Sequence, residues 1–142
     1  AGLFEETVRW AAFGLMKRRR RALDWKDALA LGLGHGGVEA VWVAVSGLLA
    51  GNLDFTADDS QVLLGGVERL FAMTLHVGFS FLIFKGVEEK KARWWLLAVL
   101  LHGLTDFQLV IGNLAVVEVL LAIEAVAVLL VVIRFVRREE RS

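Results

Sequence analysis

The chain has three histidines, and each lies nine residues from a basic residue that closes an apolar stretch: Lys26 to His35, His76 to Lys85, and Arg93 to His102. If those stretches are helical, each imidazole sits ~13.5 Å along its axis from the cation. A set of carboxylates lies about one turn further on. Glu39 and Asp106 are thirteen residues from Lys26 and Arg93, and Glu5 is twelve from Lys17, which is ~18–19.5 Å at the same rise. His35 with Glu39 and His102 with Asp106 are four residues apart, so each pair shares a helix face. Two chemistries use such a layer. In one, two or three imidazoles bind a divalent metal, zinc first among them, and leave a position for water. The carboxylates then orient the imidazoles or act as general base. In the other, a glutamate and a histidine activate water directly, while a second histidine with a polar partner stabilises the oxyanion. Both hydrolyse an acyl bond.

The elements that must position these residues are apolar and long. Apolar residues make up 57% of the 142, above the ~45–50% of ordinary globular chains. Mean hydropathy is +0.62. Five stretches stand out: Gly2 to Met16, about Ala28 to Gly51, about Gln61 to Phe84, about Trp94 to Ile111, and about Leu114 to Ile133. None alternates with the two-residue period of a strand, so all read as helices. The second, third and fifth approach the ~20 residues that span a bilayer, and the fourth is marginal. The first is shorter, which leads us to expect a helix that begins upstream of Ala1. The opening AGLFEET has no basic region followed by an apolar stretch, so no signal peptide is expected. Cysteine is absent, which removes disulfides, thiolate nucleophiles and Cys-ligated metal. A soluble five-helix bundle would need a polar face on each helix, and the second and fifth stretches have almost none.

Charge orders the connections. The first is strongly basic (Lys17 to Arg21, Lys26), the second acidic (Asp54, Asp58, Asp59), the third mixed but holding Lys85, Lys90, Lys91 and Arg93, the fourth nearly uncharged, and the C-terminus basic. That alternation is the positive-inside pattern of consecutive spans, with a cytoplasmic C-terminus. Trp25, Trp94 and Trp95 fall at the same interface, where Trp is enriched. The run Lys17 to Arg21 is a topology anchor and not a nucleic-acid patch.

Other polar residues have structural readings. Gly32 and Gly36 form a small-xxx-small pair suited to close helix packing. Glu6 and Arg9, three apart, are spaced for an internal ion pair that positions Glu5. Glu68 and Arg69 are neighbours and should point apart to partners on other helices. Glu118 and Glu124 suit structural acceptors or groups that face a cavity, and Glu124, ten residues from Arg134, lies near the histidine layer.

In order, the chain shows Glu5-Glu6-x-x-Arg9, then Gly34-His35-Gly36-Gly37-Val38-Glu39, then Glu68-Arg69-Leu70-Phe71 leading to His76, then His102-Gly103-Leu104-Thr105-Asp106. Together these resemble the YhfC family of intramembrane metalloproteases, distant kin of the CAAX-processing, bacteriocin-processing and PrsW-type membrane proteases. The resemblance covers almost the whole chain, and G-H-G-G-x-E is its most specific piece. It implies Glu5 as general base, Glu6 and Arg9 as its support, and His76 and His102 as core histidines. Asp106 stands where related enzymes often carry Asn, which fits an imidazole-orienting role.

The expectation is therefore an all-α, multi-pass transmembrane bundle of about five helices, with residues 1–142 forming one catalytic-core domain. It would be an intramembrane peptidase of the bacterial cytoplasmic membrane, acting on a membrane-embedded peptide or protein. His35, His76 and His102 would hold zinc or polarise water, with Glu5, Glu6, Arg9, Glu39 and Asp106 around them. The alternative is a non-catalytic membrane module that conducts protons or ions, or binds a partner helix, through the same layer.

Overall fold

A computed structural model describes residues 2–20, 22–50, 59–108, 110 and 112–141. Its elements are α1 (Gly2–Arg19), α2 (Trp25–Leu49), α3 (Asp59–Glu89), α4 (Arg93–Gln108) and α5 (Leu114–Glu139). Local sequence sets the ends. Asp24 caps α2 by accepting hydrogen bonds from the amides of Lys26 and Asp27, and the Asp24 amide donates in turn to the Asp27 carboxylate, a full capping box. Lys90, in the left-handed region at φ 54°, stops α3, and the Lys91 amide closes back on the Gly86 carbonyl at 3.0 Å. Asn113 caps α5 through Val116. The acidic connection with Asp54 and Asp58 lies outside the described residues.

This is an all-α bundle with membrane-spanning helices. α2, residues Val62–Glu89 of α3, and α5 are long and apolar enough to cross a bilayer. Only 17% of the most apolar window of α2 and 22% of that of α5 are buried within the protein. Their outward apolar surface therefore has hydrocarbon as its natural solvent. α3 is the central helix, buried over 56% of its window, and packs on α1, α2, α4 and α5. It also outruns the stretch read from hydropathy, continuing through Lys85 to Glu89 with Gly86 and Val87 still buried.

The cationic ends gather. Lys17 at the end of α1 pairs with Glu88 at 2.7 Å near the end of α3, and Arg20 pairs with Asp27 at 3.1 Å at the start of α2. Phe13, Ile83, Phe84, Ala98 and Val132 form the apolar core above that end. An apolar cavity of about 500 Å³ lies among α3, α4 and α5, walled by Phe79, Leu82, Leu101 and Val128. Glu124 of α5 bridges to α4 by accepting from Thr105 at 3.0 Å and from Gln108.

The tightest seam joins α2 to α3. A Cβ on Gly32 would stand 2.5 Å from Val77 Cα, and one on Gly36 would stand 3.0 Å from Met73 Cα and 3.3 Å from the His76 ring. The small-residue pair thus lets the two backbones meet beside His76. Gly32→Ala is expected to cost about 1–3 kcal/mol by overpacking this seam. Gly34→Ala, whose Cβ meets nothing within 4 Å, should instead stabilise the helix by about 0.5–1 kcal/mol. Thermal unfolding in detergent micelles, followed by circular dichroism, checks both, and equal midpoints for the two variants would contradict the seam.

A candidate hydrolytic and metal centre

Four helices deliver the polar residues to one place. α1 supplies Glu5, Glu6 and Arg9; α2 supplies His35 and Glu39; α3 supplies His76; α4 supplies His102 and Asp106. The equal spacing from the cationic ends becomes contact. His35 stacks on His76 with ring centroids 4.8 Å apart, and His102 meets the edge of His76 at 5.5 Å.

The floor of the site is buried. Glu6 and Arg9 form an ion pair with no exposed side-chain surface. Their outward contacts are to histidines: Arg9 Nη2 lies 3.1 Å from His76 Nδ1, and Glu6 Oε1 lies 2.8 Å from His102 Nδ1. The pair expected from the sequence is present, but it acts on the two core imidazoles instead of touching Glu5. His76 and His102 are each 5% exposed. Phe79 stacks flat on His102 at 4.8 Å and stands edge-on to His76, fixing both rings.

The rim is open. Side-chain exposure rises to 23% at Glu5, 27% at His35 and 37% at Glu39. Glu5 Oε2 lies 3.0 Å from His35 Nε2 and 3.7 Å from His102 Nε2. Glu39 Oε2 lies 2.6 Å from His76 Nε2, and Asp106 Oδ1 lies 3.7 Å from His102 Nε2. A carboxylate that reaches both imidazole and water can take a proton from the one and pass it to the other.

The metal question turns on donor atoms. Glu5, His35, Glu39 and His76 each offer one ligand atom, and the four atoms lie within 4.8 Å of one another. Two imidazoles with carboxylates form a donor set that zinc accepts. The sequence reading gave the metal to His35, His76 and His102 alone. The candidate group also includes two carboxylates, and His102 Nε2 lies beside it, 3.7 Å from Glu5 Oε2.

One expectation changes. Glu68 and Arg69 do not point apart: the long Arg69 side chain folds back onto Glu68 and also reaches Glu39 at 3.7 Å. Arg69 is thus a residue of the site's rim that sequence reasoning missed, because adjacency on a helix does not fix where a flexible guanidinium goes. Glu124 agrees with the sequence reading: it is an acceptor in the α4–α5 bridge described above and also lines the apolar cavity.

Arg9→Leu leaves Glu6 as a buried carboxylate without its cation, at an expected cost of about 3–5 kcal/mol. The double variant Glu6→Gln with Arg9→Gln leaves no lone charge and should recover most of that loss. Folded yield and unfolding midpoint in micelles decide this; equal losses in the single and double variants would contradict it.

The sequence matches the family described as YhfC intramembrane metalloprotease over residues 1–53 and 52–130. It is 27% identical to a protein of Bacillus subtilis (strain 168) named "Uncharacterized membrane protein YhfC", across 92% of this chain and 61% of that protein. The chain thus spans about three fifths of the length of the curated relative it matches. No solved structure matches it.

Proposed function

Since the chain belongs to the YhfC intramembrane metalloprotease family, we propose that it is the catalytic core of an integral membrane peptidase. It hydrolyses a peptide bond within or next to the bilayer. One observation carries the reading: separate helices converge three imidazoles and three carboxylates on one half-open centre, inside a bundle whose outer surface is apolar. An ionisable cluster at that depth is costly unless it is used.

Glu5 is the general base. Its Oε2 sits between His35 Nε2 and His102 Nε2, and it has the exposure to meet water. It takes a proton from the attacking water and returns it to the leaving amine. The imidazoles hold the substrate carbonyl and the charge that develops on its oxygen. Asp106 and Glu39 orient His102 and His76. Zinc would be held by residues drawn from His35, Glu39, His76 and His102, and would supply an acidified water and a polarised carbonyl. The substrate is a membrane-embedded peptide or protein, which enters from lipid on the open side. The cationic ends of the helices face the cytoplasm of a bacterial cell.

Removal of a positioned general base lowers rate by ~10²–10⁴-fold, so Glu5→Gln should lose at least a hundredfold while keeping the parent's helical spectrum. Protein reconstituted in liposomes with a library of transmembrane peptides, with new termini read by mass spectrometry, measures this. Elemental analysis of the purified parent should find zinc near one per chain. If Glu5→Gln and His102→Ala cleave as fast as the parent, the peptidase reading fails.

A further inference from the structure

The buried ion pair of α1 touches two imidazoles with opposite chemistry. Arginine in proteins is always charged and only donates hydrogen bonds. His76 Nδ1, 3.1 Å from Arg9 Nη2, must then accept, and an accepting nitrogen carries no proton. The neutral ring places its proton on Nε2, the atom 2.6 Å from Glu39 Oε2. That carboxylate accepts it. The two contacts of His76 require the same tautomer.

His102 meets the other member of the pair. Glu6, held by Arg9, is a carboxylate and only accepts. His102 Nδ1, 2.8 Å away, must donate, so its proton is on Nδ1. In the neutral ring Nε2 then keeps its lone pair, on the side of Glu5 and Asp106, each 3.7 Å away.

We infer that the Glu6–Arg9 pair fixes opposite tautomers in the two core histidines: Nε2–H in His76 and Nδ1–H in His102. Glu6 and Arg9 are positioning residues that act through these rings. The consequence for ligation is specific. A nitrogen that carries a proton cannot donate its lone pair to a metal. His76 Nε2, although near the other ligand atoms, is a hydrogen-bond donor while Arg9 holds Nδ1. His102 Nε2, beside Glu5, is the imidazole atom ready for zinc or for a proton. A carboxylate behind a ligating histidine is the usual outer partner of a metal-bound imidazole, and Glu6 occupies that place. The inference deepens the peptidase reading, because it says which imidazole donates to an oxyanion and which serves as ligand or base.

Nitrogen-15 histidine-labelled parent protein in micelles tests it, at about pH 8, above the ordinary imidazole range near ~6.5. Two-bond proton–nitrogen correlation separates the neutral tautomers from each other and from imidazolium, and His→Gln variants assign the rings. The expected result is Nε2–H at His76 and Nδ1–H at His102. Imidazolium at either ring, or the reverse tautomer at either, overturns the proposal. In Arg9→Met the His76 pattern should lose its bias toward Nε2–H, while Arg9→Lys, which still donates, should keep it. If Arg9→Met does not fold, the spectrum of the parent still decides. Zinc titration adds a second reading. His102→Gln should weaken zinc binding at least tenfold and His76→Gln by less than threefold, and the opposite order overturns the ligand assignment. None of these measurements needs a substrate, so they stand or fall apart from the peptidase activity.

Discussion

The Glu6–Arg9 ion pair is the constraint on which the centre depends. Two full charges with no exposed side-chain surface are tolerated in a low-dielectric interior only when paired and hydrogen-bonded. The pair is made within one helix, at positions three apart, so α1 can carry it as a unit between α3 and α4. Its contacts beyond itself go to His76 and His102, one on each of those helices. Geometry and proton placement at two imidazoles thus follow from a contact that involves neither of them.

The second structural condition is the glycine seam. α2 lies close enough to α3 for His35 to stack on His76, and the bare Cα atoms of Gly32 and Gly36 make that approach possible. α2 packs chiefly on α3, and its outer face is exposed and apolar. Half of the rim, His35 and Glu39, therefore rides on a helix attached mainly along one line. The buried floor is held from three other helices.

Much of this was legible in the sequence. Apolar runs closed by cations give helices and depth together, and a shared depth is what brings three histidines into contact. The Gly32/Gly36 spacing marked the seam, and the three-residue spacing of Glu6 and Arg9 marked the pair. What escaped depends on side-chain torsions and on which helices neighbour one another. Nothing in one dimension says that Arg9 reaches a histidine 67 residues away, that Arg69 folds back to Glu68 and Glu39, or that Glu124 serves α4. Phe79 was hidden for the same reason: in a helix dense with phenylalanines, only the three-dimensional packing singles out the one that lies on His102.

That phenyl ring divides two environments. One face of Phe79 covers His102, and the same residue walls the apolar cavity among α3, α4 and α5. The imidazole therefore has a dry side and a wet side a few ångströms apart. Charge that appears on His102 is poorly screened through the phenyl and well screened toward the rim. The field it creates is lopsided, reaching furthest across the hydrocarbon wall of the cavity.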